Sequence, residues 1–361
     1  MKTNEIEKYC ERLLDMNTGL STETSFTRSY AVEIDTVHHR ILYTPNMPSS
    51  TLLDNNFYQK IFKIWNIGLY PYLTLLKQQN AVIVEREGMD FSQARAFSFP
   101  YIDGIPKRLV IDDFNIFCSS LKNQEVPLMK NLTLDYSRIS CLAIAGSTGS
   151  GKSTALVYLI KVLARFSDIL VIDPKVDMPA RLCKQLAIPC LVPSRTKSNA
   201  DFLAQVNDQL GQAVNLIYER QEILFSNPTQ VFKPYIIVVD ELIALKQGTT
   251  AKPVIQAFDT LINTISLMGR GTSVCLVLSS QNFNVNESIS SSCRSQISCS
   301  ILLGKINSQT MQYLFPDLGN SGSEGLVIPN GVGSGIVQIN DGVLPNNVLP
   351  IQMPTIRNEE V

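Results

Sequence analysis

A glycine-rich loop between two apolar segments restricts the possible folds of this chain more than any other feature of its sequence. The loop matches the phosphate-binding pattern G-x-x-x-x-G-K-S, and its residues are Gly146, Ser147, Thr148, Gly149, Ser150, Gly151, Lys152 and Ser153. The apolar run 141–145 before the loop predicts a buried strand, and residues 154–165 after it predict a helix. A strand, a glycine loop and a helix in this order are typical of an α/β protein that binds ATP or GTP.

Each residue type in the loop has a physical reason to be there. Glycines let the backbone curl so that successive N–H groups point at phosphate oxygens, and the N-terminus of the following helix adds partial positive charge. We expect Lys152 to reach the β- and γ-phosphates, Ser153 to bind Mg²⁺, and Thr154 to lie beside the phosphates. The alternative, a glycine-rich turn that binds nothing, does not account for the strand and helix on either side.

The composition allows one large or two moderate domains, and the charge and the cysteines restrict what the protein can bind and where it can work. The chain has 361 residues, of which 45% are hydrophobic and 17% charged, and its net charge is −1. Binding of nucleic acid would therefore require a local basic surface on the protein. The eight cysteines form no C-x-x-C pair, which indicates free thiols in a reducing compartment. His38 and His39 are neighbours in a predicted strand, so they face opposite ways and make a poor metal pair.

The sequence predicts a cytoplasmic protein with no membrane span of its own. The N-terminus lacks the apolar region of a signal peptide. The most apolar window, 61–76, carries Lys63, Asn66 and Pro71 and is shorter than a spanning helix. We therefore expect this window to form a core helix.

The chain is predicted to divide into two domains near residue 103. Residues 4–15 predict an amphipathic helix, and residues 29–43 and 81–86 predict strands on either side of a helical region at 57–76. Residues 1–103 are expected to form a small α/β accessory domain. From residue 104 to residue 361, apolar strands alternate with helices, which predicts a second α/β domain. Its uninterrupted apolar strands are typical of a mainly parallel sheet that is covered on both faces.

Two adjacent carboxylates follow the apolar strand at 235–239. An aspartate at the end of a buried parallel strand can hold Mg²⁺ beside the phosphate loop, as Asp240 would in a Walker B element. A glutamate next to it can polarise the water that attacks the γ-phosphate, which is the role we expect for Glu241. The alternative is an ordinary acidic cap of the next helix.

Two further residues are candidates for contact with the γ-phosphate. Gln281 follows the strand 274–278 and is either a γ-phosphate sensor or an ordinary polar residue at a strand end. Arg270 either reaches the γ-phosphate of a neighbouring subunit or is a solvated cation at a helix end. The polar loop 246–252 carries Lys246 and Lys252, which either follow a nucleic-acid backbone or are simply solvated.

Six segments, taken in chain order, resemble the motifs of the FtsK/SpoIIIE motor domain, within the FtsK–HerA group of pumping ATPases. The similarity covers roughly residues 100–345. The segments are 143–153 (family A-G-x-T-G-S-G-K-S), 172–175 (I-D-P-K), 218–220 (M-E-R-R), 238–241 (V-D-E), 269–281 (R-A-x-G to A-T-Q) and 305–310 (K-I-D-S-R-T). The chain departs from this pattern at Ser279 and Ser280, which replace the first residues of A-T-Q, and at Gln309, which replaces an arginine.

The resemblance implies a RecA-like motor domain that hydrolyses ATP with Mg²⁺ and moves duplex DNA through a homohexameric ring. Residues 104–361 would be the motor, ATP would bind between subunits, and Arg270 would act on the neighbouring site. Without the membrane region and the C-terminal winged-helix domain of chromosomal pumps, the chain resembles the short soluble motors of conjugative elements, plasmids and phages. A relaxase or a replication initiator is the implied partner.

Two other functions stay open at the level of sequence. The first is a protein-pumping ATPase of the type VII secretion kind, although such proteins usually join several motor domains and this chain has one phosphate loop. The second is a platform that ATP assembles around a relaxase or replication complex with little turnover.

Overall fold

The computed structural model describes residues 3–18, 29–46, 54–90, 93–284, 288–316, 318, 323–342 and 347–357. The chain separates into two compact units. Unit 1 comprises Met1–Pro106, Asn320–Ile328 and Asn346–Pro350, and unit 2 comprises Lys107–Gly319, Pro329–Pro345 and Ile351–Val361. Two late segments of the chain therefore belong to unit 1. Among the described residues, no helix combines the length and the apolar character that a membrane span requires.

The described residues of unit 1 form an antiparallel sheet and two helices. Its elements are α1 (Thr3–Thr18), β1 (Tyr30–Asp35), β2 (Arg40–Pro45), α2 (Asn55–Gly68), β3 (Leu73–Leu75), β4 (Ile83–Glu85) and β5 (Arg95–Asp103). The strand order is β1-β2-β5-β3, and β4 also pairs with β5. Tyr58 stacks on Phe99 with ring centroids 4.3 Å apart, and Trp65 donates a hydrogen bond to the backbone oxygen of Cys10 at 3.0 Å. These buried rings supply much of the apolar area that stabilises the unit.

Two local predictions for unit 1 are wrong, whereas the helix predicted at 4–15 is confirmed as α1. His38 and His39 lie in the turn between β1 and β2, not in a strand. Asp35 holds this turn by accepting backbone hydrogen bonds from Val37 and His38 at 3.1 and 3.0 Å. The helical region predicted at 57–76 ends at Gly68, because Pro71 has no N–H and cannot continue a helix.

Unit 2 alternates strands and helices. Its first elements are β6 (Val110–Ile111), α3 (Phe114–Ser119), β7 (Glu125–Met129), β8 (Leu132–Asp135), β9 (Cys141–Gly146), α4 (Lys152–Leu163), β10 (Asp168–Ile172), α5 (Met178–Leu186), β11 (Cys190–Leu191) and α6 (Asn199–Ser226). They are followed by β12 (Tyr235–Val239), α7 (Leu242–Gln247), α8 (Lys252–Met268), β13 (Val274–Ser280), α9 (Ser291–Arg294), β14 (Cys299–Leu303), α10 (Ser308–Met311), β15 (Ser334–Ile339) and β17 (Thr355–Ile356). The strand β16 (Asn347–Gln352) has residues in both units.

The main sheet has the order β11-β10-β12-β13-β9-β14-β15-β16. The strands from β11 to β14 are parallel, and β15 is antiparallel to β14. The central strands are buried along their whole length because helices cover the sheet. The predicted RecA-like α/β fold with a mainly parallel sheet is therefore confirmed. In such a sheet, ligands bind at the carboxyl edge of the strands.

Candidate nucleotide-binding site

The carboxyl ends of the parallel strands meet at one edge of the main sheet. Leu303 pairs with Gly146, Ser280 with Ala145, and Ile172 with Val239. The loops that follow these strands surround a cleft of about 310 Å³. The cleft is lined by Gly146, Ser147, Thr148, Gly149, Gly151, Lys152, Ser153, Thr154, Lys175, Asp177, Asp240, Glu241, Gln281 and Val332.

The glycine-rich loop passes directly from β9 into α4. Gly151 is the N-cap of α4 and has φ +93°, a conformation that side chains rarely adopt. A Cβ at this position would lie 2.7 Å from the backbone nitrogen of Gly333 and 2.9 Å from Cγ1 of Val332. The segment that carries Val332 therefore packs against the loop and forms one wall of the cleft. Nothing in the sequence around the loop indicates this wall, because it comes from a glycine-rich turn about 180 residues later in the chain.

Ser150 is the loop residue that the structure does not bring to the cleft. Its hydroxyl is buried and has no hydrogen-bond partner among the described residues. Its N–H donates to the backbone oxygen of Ser147 at 3.1 Å, and its own carbonyl accepts from Gly333 at 2.8 Å. Ser150 therefore stabilises the shape of the loop through backbone hydrogen bonds and does not face the cleft. The loop residues that face the cleft lie at the N-terminus of a helix, an arrangement that suits the binding of a chain of phosphates.

Asp240 directly follows β12 and is buried beside the loop. Its Oδ1 accepts a hydrogen bond from the hydroxyl of Ser279 at 2.9 Å. Burial raises the pKa of Asp240 above its ordinary value, and the Ser279 hydrogen bond opposes that rise. Carboxylate and hydroxyl oxygens are the ligands that Mg²⁺ prefers, so Asp240 and Ser153 have the donor chemistry for this ion.

Glu241 is the most tightly held side chain of the site. Its Oε2 lies 3.0 Å from Nζ of Lys152 and 2.8 Å from Nζ of Lys175. Its Oε1 accepts a hydrogen bond from the backbone N–H of Gln281 at 3.2 Å. Burial acts to raise the pKa of Glu241, but the ion pairs with Lys175 and Lys152 outweigh it and hold the pKa below its ordinary value. Glu241 is therefore an ionised carboxylate with one edge toward the cleft.

The backbone conformation of Glu241 also indicates that its surroundings hold this residue in place. Glu241 has φ +54°, in the left-handed region, where it caps α7. Residues other than glycine adopt this conformation at an energetic cost and only where the surroundings impose it. The four contacts from Lys152, Lys175, Gln281 and the capped helix supply those surroundings.

The loop after β10 places Lys175 in the cleft. Asp173 is fully buried, and its carboxylate accepts backbone hydrogen bonds from Lys175, Val176, Asp177 and Ala180 at 2.9, 2.9, 2.9 and 3.2 Å. Such a carboxylate fixes a tight turn. The sequence identified residues 172–175 only as a segment that resembles a family motif. Lys175 could have been predicted as a site residue, because it is a charged residue that follows a strand at the carboxyl edge of the sheet.

Arg270 does not lie at this cleft. It stands in the 3₁₀ helix Arg270–Thr272, before β13 begins, and its side chain is exposed. The seven residues of β13 separate it from the carboxyl edge by roughly 23 Å. Arg220 fixes the turn, because its guanidinium donates to the backbone oxygens of Thr272 at 2.7 Å and Lys233 at 3.0 Å.

The prediction that the loop 246–252 is a flexible basic segment is wrong for Lys246. This residue belongs to α7 and is only 10% exposed. Its Nζ lies 2.8 Å from Oδ1 of Asp259 and 3.1 Å from the backbone oxygen of Ser288. The ammonium group of Lys246 is thus held by contacts inside the protein, whereas Lys252, at the start of α8, is exposed.

Comparison with known proteins relates this geometry to P-loop ATPases. No family model matches the chain. The chain is 24% identical over 222 residues to the FtsK domain-containing protein YdcQ of Bacillus subtilis (strain 168); the match covers 58% of this chain and 43% of that protein. The chain therefore spans less than half the length of this relative.

A solved structure shares the fold. The pCW3 conjugation coupling protein TcpA, in its monomer form with ATPγS, superposes with a TM-score of 0.53 at 15% identity, covering 97% of this chain and 94% of that one. The cytoplasmic domain of the type VII secretion ATPase EccC of Thermomonospora curvata gives 0.48 at 18% identity, covering 67% and 30%. The resemblance to FtsK-type motors inferred from the six segments is confirmed, since the chain is similar in sequence to an FtsK domain-containing protein and has the fold of a P-loop ATPase.

Replacing Gly151 with alanine should weaken nucleotide binding, because the left-handed conformation and the contact with Gly333 both exclude a Cβ. Without nucleotide the variant loop relaxes this left-handed strain of about 1–2 kcal/mol, and binding must restore it, which corresponds to roughly tenfold in affinity. Titration with a fluorescent ATP analogue measures this effect. Gly271→Ala is the matched control, since a Cβ there meets no atom within 4 Å. Equal affinity in the two variants would contradict the role given to the loop.

Proposed function

We propose that the chain is an ATP-driven DNA translocase. In this proposal it hydrolyses Mg·ATP at the cleft of unit 2 and moves duplex DNA through a homohexameric ring in the cytoplasm, during the transfer or replication of a mobile element. The observation that carries the proposal is the convergence of Lys152, Asp240 and Glu241 at the carboxyl edge of one parallel sheet. The similarity to an FtsK domain-containing protein and to a conjugation coupling protein supports the choice of DNA.

The residues of the cleft divide the chemistry of hydrolysis among them. The backbone of the glycine-rich loop binds the phosphates, and Lys152 turns from Glu241 toward the β- and γ-phosphate oxygens. Ser153 and Asp240 would hold Mg²⁺, which supplies neutralisation of phosphate charge when it is bound. Glu241, kept ionised by its lysine partners, accepts the proton of the attacking water. Gln281 lies beside Glu241 and orients the water or senses the γ-phosphate.

The DNA contacts are assigned to the loops at the same edge of the sheet. Residues 248–251 follow α7, residues 281–284 follow β13, and Lys305 follows β14. Lys252 and Lys305 are exposed cations in or beside these loops. Such residues can neutralise phosphates without reading base sequence, which suits a motor that must move along any DNA.

The position of Arg270 supports a ring in which sites are shared. Arg270 is exposed and lies at the opposite edge of the sheet from the cleft, so it does not act on the nucleotide of its own subunit. In a ring, the neighbouring subunit would bring its Arg270 to this cleft, where an arginine stabilises the charge that develops on the phosphoryl group. A relaxase or a replication initiator is the proposed recruiting partner.

Two substitutions separate binding from hydrolysis. Lys152→Ala should abolish hydrolysis and weaken nucleotide binding, since it removes the phosphate-binding cation. Glu241→Gln should lower turnover by about 10²–10⁴-fold because it removes the general base, while an ATP analogue still binds. Lys184→Ala, at an exposed site on α5, is the control. If the wild-type chain assembles with ATP but does not hydrolyse it, the proposal fails in favour of an ATP-assembled platform.

The choice of polymer is tested by stimulation of the ATPase. Duplex DNA should raise turnover more than single-stranded DNA or a secreted-protein peptide, and the effect should weaken with salt. Lys252→Glu combined with Lys305→Glu should reduce the stimulation at least about tenfold, because like charges repel the phosphates. Lys184→Glu serves as the charge-matched control. Stimulation by the peptide and not by DNA would favour a protein pump and contradict the proposal.

Mixing inactive variants tests whether sites are shared. Arg270→Ala should lower turnover by about 10³-fold or more, and Lys152→Ala should be inactive. A mixture should recover activity, because an Arg270→Ala subunit with an intact loop can receive the arginine of a Lys152→Ala neighbour. The steady-state ATPase rate is measured against the mixing ratio. No recovery at any ratio would show that Arg270 does not act between subunits.

A further inference from the structure

We propose that Lys175 is a positioning residue of this site, which keeps the Glu241 carboxylate in place after Lys152 has turned to the nucleotide. This inference rests on the proposed hydrolysis of ATP and adds one residue to it. It follows from the unusual fact that two ammonium groups share a single carboxylate oxygen.

The two lysines differ in what else they must do. Lys152 belongs to the glycine-rich loop and the first turn of α4, where its ammonium group is needed by the phosphates. Once Lys152 leaves Oε2 of Glu241, the contacts that remain among the described residues are Nζ of Lys175 at 2.8 Å and the N–H of Gln281 at 3.2 Å. Lys175 is then the cation that compensates a carboxylate whose side chain is only 5% exposed. A buried carboxylate without such a partner is strongly destabilised.

The surrounding charges make this partner necessary. Asp240 is the neighbour of Glu241 along the chain, and the buried Asp173 lies close enough to act on Asp240. Asp240 and Glu241 are carboxylates side by side, so their charges repel each other. The described cations that act on Glu241 are Lys175 and Lys152, and the proposed binding mode uses the second of them.

The backbone holds Lys175 in position for this task. The four hydrogen bonds to Asp173 fix the turn from which its side chain extends. Val176, the next residue, has φ +56°, which a β-branched side chain adopts only where the structure imposes it. The side chain of Lys175 is 45% exposed and reaches Glu241 from the open side of the cleft.

The test compares Lys175→Met with Lys175→Arg. Methionine has a similar length without the charge, so Glu241 loses its remaining cation. Turnover should fall by about 10- to 100-fold, the usual effect of a small misplacement of a catalytic group. The dissociation constant of an ATP analogue should stay within about threefold, which also shows that the variant is folded. Lys175→Arg should restore most of the turnover, and Lys184→Met is the control for loss of a surface lysine.

A double substitution separates positioning from direct phosphate contact. Because Lys175 acts through Glu241, adding Lys175→Met to Glu241→Gln should lower turnover no further. A further fall of tenfold or more, or a loss of analogue affinity as large as that of Lys152→Ala, would make Lys175 a phosphate ligand and overturn the inference. Wild-type turnover in Lys175→Met would overturn the inference while the proposed function stands. An inactive wild-type chain would overturn both.

Discussion

One buried carboxylate joins four of the loops that line the cleft. Glu241, after β12, contacts Lys152 after β9, Lys175 after β10 and the backbone of Gln281 after β13. These contacts impose the left-handed turn at Glu241 and fix the distances between the loops. Removing one partner of a buried ion pair is costly, so the cleft is held together by the same charges that are proposed to act in catalysis.

The fold and the centre of the site could be predicted because they depend on local patterns. Uninterrupted apolar strands predict a parallel sheet, and residues that follow such strands must collect at its carboxyl edge. Asp240, Gln281 and the loop that begins at Ser147 each follow a strand directly, so the strand boundaries alone place them around one cleft. The resemblance to FtsK-type motors was inferred from the order of six motifs along the chain. The phosphate-binding loop alone does not distinguish such motors from other nucleotide-binding proteins.

The other features depend on contacts between residues far apart in the chain. Lys246 looked like part of a flexible loop, but Asp259 and Ser288 bind its ammonium group. Ser150 belongs to the loop pattern, yet the tight turn directs its hydroxyl away from the cleft. Lys175 stood in a motif with no assigned contact, and its partner Glu241 lies 66 residues later. Side-chain pairing of this kind is set by tertiary structure, which no local pattern encodes.

A structure of the chain with Mg²⁺ and ATPγS would show where the two lysines lie when the nucleotide is bound. The informative quantities are the distances from Oε2 of Glu241 to the Nζ atoms of Lys152 and Lys175, now 3.0 and 2.8 Å. We expect Lys152 to move beyond ion-pairing distance, about 4 Å, to the phosphates while Lys175 stays at about 3 Å. A bound nucleotide with Lys152 still on Glu241, or with Lys175 displaced from it, would contradict the account.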